Sequence, residues 1–193
     1  MQLRGKALRL YMGLLHYPVY NKNRQTITSA ITSFDLHDLS RLAKTYGMKR
    51  FFVINPLKDQ RRFAERIVRH WTLGHGAAYN PHRREAMELV ALCGTMKESL
   101  EAVEEAEGEA PLVIATDASS HEGRPIQYAG AAEILGSGRT AMLLFGTAWG
   151  IDRAVLEQSD YVLEPVKGIG NYNHLSVRTA AAIILDRLLG NSR

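Results

Sequence analysis

TAMLLFGTAWGIDRAVLEQSDYVLEP, residues 140–165, holds two apolar runs on either side of a segment with helical spacing. The first run, TAMLLFG (140–146), is continuously apolar and of strand length; the second, DYVLEP (160–165), stops at a proline, which cannot donate to a sheet ladder. Residues 151–157 read as the helix between them. A strand, a helix and a second strand in so short a space form a crossover unit, and crossover units build parallel sheets.

The same alternation extends outward to both ends of the chain. LRLYMGLL (8–15), RFFVIN (50–55), LVALC (89–93) and PLVIATD (111–117) read as further strands, and residues 36–46, 58–71, 82–88, 96–107, 127–135 and 175–189 as helices. Uninterrupted apolar strands alternating with helices predict an α/β fold, a mostly parallel sheet with helices on both faces. Two stretches break the rhythm: HYPVYNKNRQTITSAITS (16–33) is a long polar connection, and TLGHGAAYNPH (72–82) is rich in glycine and small residues. Connections of that length inside a compact domain are usually functional or mobile. No repeat or linker divides the 193 residues, which is a length that supports one well-buried domain over 1–193.

Charge is unevenly distributed. Residues 1–70 hold 14 Lys/Arg against 4 Asp/Glu, a balance of +10, whereas residues 71–193 hold 10 against 16, a balance of −6. Within the first part, KDQRRFAERIVRH places Arg62, Arg66 and Arg69 at i, i+4 and i+7 on one helical face, with Phe63 and Ile67 on another. Such a stripe suits a polyanion's phosphates, although a solvated helix surface has the same pattern. The single cysteine, Cys93, has no partner for a disulfide and reads as a small core residue in a reducing compartment. The basic residues before the first apolar run are followed by Arg9 and by no Ala-x-Ala site, so a strand of a cytoplasmic protein is expected and not a signal peptide. No apolar stretch approaches the roughly 18 residues of a membrane span.

In open α/β sheets, ligands sit beyond the carboxyl ends of the strands. Three loops there share a character: IATDAS after the strand at 111, LFGTAWGID after the strand at 140, and LEPVKGIGNYNHLS after the strand at 160. Gly, Thr, Ala and Asn let backbone groups approach a flat ligand closely, so the three loops together predict a cofactor cleft. No G-x-G-x-x-G opens a first βα turn, no phosphate-binding G-x-x-x-x-G-K-[ST] occurs, and no G-x-S-x-G elbow is present. GSGRT (136–140) precedes a strand and reads as a turn.

LLFGTAWGID together with NYNHLSVRTAAAIILDRL resembles the C-terminal half of the SPOUT-class methyltransferases, which use S-adenosylmethionine and fold with a deep trefoil knot. LLHYPVYNKN, ITSFDLHDLSRLAKTYGMKRFFVINP and RHWTLGHGAAYNPHRREAM extend the resemblance to a small bacterial family of RNA methyltransferases within that class, over nearly the whole chain. The resemblance implies three walls around the cofactor: Phe145, Gly146, Thr147 and Gly150; Leu163, Glu164 and Pro165; and residues 171–176, with Tyr172, Asn173, His174, Leu175 and Ser176. Thr116 would lie beneath the ligand. It also implies an RNA substrate and a homodimer with sites beside the interface. Related tRNA ribose methyltransferases carry G-N-E where this chain has Gly146-Thr147-Ala148, and an early Asn where it has Asp35, while Arg41 keeps the position of their Arg. Ribose 2′-O chemistry is therefore not carried over.

Methyl transfer from a sulfonium needs positioning and, for an oxygen or protonated nitrogen, a base. SFDLHDLSR concentrates Asp35, His37, Asp38 and Arg41 at a helix start. Asp35 and Asp38 are candidate bases there, or ordinary partners of the helix dipole, and Arg41 is a candidate for orienting RNA. His174 serves either the cofactor or the loop, and His16 and His75 read as loop residues near a substrate channel. No pair of histidines has metal-ligand spacing with a carboxylate beside it, so no metal is expected. A non-catalytic knotted RNA-binding protein is the alternative, disfavoured by the small residues kept in the cofactor loops. If Arg62, Arg66 and Arg69 hold phosphates, replacing all three with Gln should weaken RNA binding and flatten its salt dependence by up to about three units of log–log slope. Unchanged binding across a salt titration would return the stripe to plain solvated surface.

Overall fold

The computed structural model describes residues 8–118, 124–170 and 172–190. From the amino end the chain forms β1 (Leu10–Leu15), β2 (Val19–Tyr20), β3 (Thr26–Ile27), α1 (Ser33–Thr45), β4 (Arg50–Ile54), α2 (Lys58–Thr72), α3 (His75–Tyr79), α4 (Pro81–Met87) and β5 (Val90–Cys93). It continues through α5 (Met96–Glu107), β6 (Leu112–Thr116), β7 (Pro125–Ile126), α6 (Tyr128–Gly136), β8 (Ala141–Gly146), α7 (Arg153–Gln158), β9 (Tyr161–Leu163) and α8 (Val177–Leu189). Seven strands make one sheet in the order β5-β4-β1-β8-β6-β9-β7, with every pairing parallel. The α/β expectation is met, and each strand read from the sequence lies in this sheet.

Strand alternation divides the core into two layers. Leu10, Met12 and Leu14 of β1, Phe51 and Val53 of β4, and Leu143 and Phe145 of β8 face α1, α2, α6 and α8. Tyr11 and Leu15, Phe52 and Ile54, and Met142 and Leu144 face the other way, toward α5 and α7. Because both faces are covered, the strands read as continuous apolar runs. Cys93 packs at the edge of the second layer, and burial, with Glu98 nearby, pushes its thiol up to about 11. An unreactive thiol results, as expected of a packing residue.

Capping explains where the helices depart from their expected bounds. The Thr32 hydroxyl accepts the Asp35 N–H, so α1 begins at Ser33 and not at 36. Asn80 caps α4 with Pro81 in its first turn, and Ser176 accepts the Thr179 N–H, so α8 begins at Val177. In α2 the inward face is Ala64, Ile67 and Trp71, whereas Phe63, expected on the apolar side, is 44% exposed. The two polar interruptions are also structured. The first contains the antiparallel β2–β3 hairpin and the second contains α3, which periodicity over so few residues does not reveal.

Where β1 ends, His16 joins three segments. Its N–H donates to the Ile54 carbonyl at 3.0 Å, and its own carbonyl accepts the Ser29 N–H at 2.8 Å. The ring is fully buried, its Nδ1 lies 2.8 Å from the Ser29 hydroxyl, and Nε2 has no partner among the described residues. Burial depresses its pKa to about 4, against an unfolded value near 6.5. Between those values the unfolded chain takes up a proton that the folded one refuses. Stability is therefore complete above about pH 6.5 and declines toward pH 4, by an amount on the order of 3 kcal/mol. His16→Asn, which keeps a donor near Nδ1 and cannot titrate, should start less stable at pH 7.5 and show a shallower decline between pH 6.5 and 4 in calorimetric scans. An acid limb as steep as wild type's would place its origin in other groups.

Candidate active site

The chain leaves β1 toward β4 and β5 on one side, and the later strands β8, β6 and β9 lie on the other. Loops diverging from such a switch point leave a crevice at the carboxyl ends of the strands. A cleft of about 900 Å³ opens there, bordered by the segment before α1, the loops after β6 and β8, and the chain leading into α8. All three loops singled out in the sequence contribute to it.

The loop after β8 sets its shape. Gly150 N–H donates to the Thr147 carbonyl at 3.1 Å to close a turn, with Ala148 at φ 53 and Gly150 at φ 105. Both lie in the left-handed region, which costs glycine little and alanine on the order of 1 kcal/mol. The β2–β3 hairpin holds this turn: Tyr20 N–H donates to the Gly150 carbonyl at 2.9 Å and Trp149 N–H to the Tyr20 carbonyl at 3.0 Å. A Cβ on Gly146 would sit 2.5 Å from Ile151 Cγ1. Gly146 is thus required by packing behind the cleft wall, which the sequence alone attributes to ligand approach.

Of the positions expected around the cofactor, Thr116, Phe145, Gly146, Thr147 and Gly150 border the cleft on the sheet side, and Asn173, His174, Leu175 and Ser176 border it on the α8 side. Asn173 Nδ2 donates to the Ala118 carbonyl at 2.5 Å and so fastens one side to the other. Leu163, Glu164, Pro165 and Tyr172 do not border it. Leu163 is buried in the core, and Glu164 accepts the Tyr128 N–H at 3.1 Å and so caps α6. Pro165 is half-buried after β9, while Tyr172 is exposed and meets the His174 ring edge-on. Asn171 lies outside the described residues.

Sequence reasoning passed over Ser29, which shares the cleft with Thr147. The Thr147 hydroxyl donates to the Leu15 carbonyl at 3.0 Å and lies 2.6 Å from the Ser29 hydroxyl. A carbonyl cannot donate, so Thr147 spends its one proton there, Ser29 donates to Thr147, and His16 Nδ1 donates to Ser29. Both hydroxyls accordingly offer only lone pairs to a ligand. Asp35 and Asp117 add carboxylates to the same cleft.

The three catalytic candidates separate in space. Asp35 is 8% exposed and borders the cleft; its Oδ2 accepts the Thr32 hydroxyl at 2.6 Å. Asp38 lies outside the cleft lining and accepts from Arg178 NH1 at 3.0 Å. Arg178 Nε also lies 3.5 Å from Asp35 Oδ1, so one guanidinium ties both α1 carboxylates to α8. Arg41 is exposed, borders no part of the cleft and has no ion pair among the described residues. Asp38 pairs not with Arg41 on the same helix but with the long-range Arg178. Only the folded topology brings position 178 to position 38.

The basic segment divides likewise. Arg9 and Lys49 pair with Glu107 and Glu109 at the opposite end of the sheet, and Lys44 pairs with Glu85. On α2, Arg62 lies 3.7 Å from Asp59 with its side chain 78% exposed, and Arg66 and Arg69 are exposed without ion pairs among the described residues. Helix α2 adjoins the cleft through Gln60, whose Oε1 accepts the Ile31 N–H at 2.7 Å.

Acceptor hydroxyls and carboxylates beside Phe145, Val166, Leu175 and Ile184 suit a ligand that joins a cation to a flat apolar ring. S-adenosylmethionine, with its sulfonium, ammonium and adenine, has that character. Among the described residues no three His, Cys, Asp or Glu are grouped to hold a metal ion, and no helix is long and apolar enough to cross a membrane.

Comparison with known proteins agrees with this reading of the cleft. Residues 9–190 match the family model of SAM-dependent RNA methyltransferases. A tRNA (guanine-N(1)-)-methyltransferase of Oleidesulfovibrio alaskensis is 40% identical over 183 residues, covering 95% of this chain but 42% of its own length. The chain thus spans less than half of that relative. An uncharacterized protein of Aquifex aeolicus is 37% identical, with 95% of this chain and 90% of its own covered. The SpoU methyltransferase AviRb from Streptomyces viridochromogenes shares the fold at a TM-score of 0.58 and 15% identity, over 97% of this chain and 61% of its own. The family-model match over residues 9–190, nearly every described residue, makes this chain a member of the S-adenosylmethionine-dependent RNA methyltransferase family, on the SpoU methyltransferase fold.

Proposed function

We propose that this enzyme methylates a tRNA, with Asp35 as the base and the cleft beyond β1, β6 and β8 holding the cofactor. The observation that carries the reading is a buried carboxylate bordering an acceptor-lined cleft, with unpaired arginines outside it. S-adenosylmethionine supplies a methyl group on a sulfonium, whose leaving group departs neutral. The chain's share of the work is positioning and removal of a proton from the acceptor. Asp35 is suited to that role: one oxygen is occupied by Thr32, and the other makes only a long contact with Arg178. Arg178 fixes the carboxylate's orientation and acts as a positioning residue. Arg41, Arg62, Arg66 and Arg69 would hold tRNA phosphates.

Support for tRNA comes from the Oleidesulfovibrio relative, a tRNA (guanine-N(1)-)-methyltransferase. Because that protein is more than twice as long as the matched region, its guanine N1 acceptor is not assigned to this chain. The cytoplasm is the matching compartment. A trefoil knot at α8 belongs to the same reading, with the Asn173 bond to Ala118 joining the two loops concerned. A traced backbone that leaves the segment before α8 unthreaded would remove it. A homodimer does too: Phe34, 66% exposed beneath the Arg178 guanidinium, offers an apolar surface to a second copy.

Sedimentation should show a dimer that Phe34→Glu converts to a monomer; a wild-type monomer at all concentrations would sink that part of the reading. For the cofactor site, Gly146 is a poor probe because any side chain there strikes Ile151. Ala180→Phe on α8 instead fills the cleft and should weaken S-adenosylmethionine binding in calorimetry by more than about tenfold without lowering the thermal midpoint. Asp35→Asn, which leaves Asp117 in the cleft, should weaken cofactor binding by no more than roughly tenfold and lose roughly 10²- to 10⁴-fold in turnover on tRNA at saturating cofactor. Nucleoside mass spectrometry of tRNA from a strain lacking the gene should show one methylated nucleoside missing, restored by wild type and not by Asp35→Asn. An unchanged tRNA profile would exclude tRNA as the substrate.

A further inference from the structure

We infer that Trp149 is a stacking platform for the nucleobase of the acceptor nucleotide, with Arg24 holding an adjacent phosphate; this rests on the RNA methyltransferase reading above. Tryptophan is the side chain that gains most from burial, yet Trp149 is 61% exposed at the border of the cleft. Its backbone is firmly held there. The residue before it, Ala148, has φ 53, the residue after it, Gly150, has φ 105, and its own N–H donates to the Tyr20 carbonyl. A strained, doubly anchored turn that presents an indole to solvent lacks a structural purpose within the chain. A π-face at the mouth of a cleft in an RNA-modifying enzyme has an evident ligand, since every base carries one.

Arg24 stands on the same rim. It is the only Lys or Arg bordering the cleft among the described residues. Its φ of 61 is fixed by the hairpin turn, where its N–H donates to the Asn21 carbonyl at 3.0 Å. The guanidinium lies 5.0 Å over the Tyr20 ring, the residue whose backbone also anchors Trp149. Charge in the cleft is therefore graded. Asp35, Asp117 and the acceptor hydroxyls of Ser29 and Thr147 lie along its walls, which favours a cationic ligand, whereas the cation on the rim favours an anionic one. A nucleotide entering past the hairpin would stack its base on Trp149, leave its phosphate at Arg24 and direct its reacting edge toward Asp35.

The test uses full-length protein and tRNA purified from a strain lacking the gene. Trp149→Ala should weaken tRNA binding by roughly 5- to 150-fold, with Trp149→Phe recovering most of the loss and Trp149→Leu little of it. S-adenosylmethionine affinity, measured by calorimetry, should stay unchanged in all three. Arg24→Gln should lower the log–log salt slope by about one unit, and Arg24→Lys should restore it. In a Trp71→Phe background, where Trp149 is the single remaining tryptophan, tRNA should quench the emission. Wild-type tRNA binding matched by Trp149→Ala, with no quenching, would overturn the platform and leave the RNA reading intact. Loss of cofactor affinity alongside tRNA affinity would assign the indole to the cofactor and overturn it as well. Wild type that binds S-adenosylmethionine but no tRNA would remove both the platform and the tRNA assignment.

Discussion

Parallel pairing of β1 with β8 is the constraint on which the active-site end of this enzyme depends. Leu15 stands opposite Gly146, so both central strands end at the same level. The Thr147 hydroxyl binds the Leu15 carbonyl across that boundary, and Ser29 and His16 extend the contact to the segment that leads into α1. A slip of one residue in that register would turn Phe145 from one core layer to the other and separate Thr147 from Leu15. Two fully buried layers on opposite faces of the sheet make such a slip prohibitively costly. The register of an ordinary pair of strands therefore fixes the positions of groups on three different loops.

The sheet was legible in the sequence for the same reason. A strand buried on both faces must be apolar through its interior, and β1, β4, β6 and β8 are: β4 is apolar after Arg50 and β6 up to Thr116. The loops of the cleft were legible because they concentrate glycine and small polar residues after strands. What was not legible depends on contacts distant in sequence. Arg178 reads as an ordinary helix residue until the fold sets it against Asp35 and Asp38. Ser29 and Arg24 sit in a polar stretch with no periodic signal, because a hairpin with two residues per strand is too short to produce one. Gly146 was noticed for the wrong reason: the residue that excludes its side chain is Ile151, behind the wall, and no local pattern distinguishes the two causes.

Net charge was informative only after pairing was considered. Arg9, Lys44 and Lys49 belong to the +10 segment, yet each is matched to a glutamate from later in the chain. Glu107, at the amino-terminal edge of the sheet, receives Tyr11 and Lys49 at 2.6 Å, and although burial alone would raise its pKa, those hydrogen bonds hold it below the usual carboxylate range. That end of the sheet resolves its charges internally. Arg66, Arg69 and Arg41 have no ion pair among the described residues, and with the largely exposed Arg62, which only approaches Asp59 at 3.7 Å, they are the part of the imbalance left available to a polyanion.

The two ends of the sheet thus follow different rules. At the amino-terminal edge the buried carboxylate has partners; at the carboxyl edge the His16 Nε2 has none among the described residues, Ala148 and Arg24 hold left-handed backbone, and an indole faces solvent. Each departure costs on the order of 1 kcal/mol or more, and a chain selected for stability alone would lose them. They meet in one place because one geometric demand produces them. The hairpin crosses from β1 to the turn after β8 and holds it by backbone bonds at Tyr20, while the Tyr20 hydroxyl accepts the Arg153 N–H and the Thr26 hydroxyl donates to Asp152. Arg24 and Trp149 keep their side chains at the border of the cleft. The strain at Ala148 is then the consequence of keeping the cleft open, and openness is what a nucleic-acid substrate, too large to be enclosed, requires of the site.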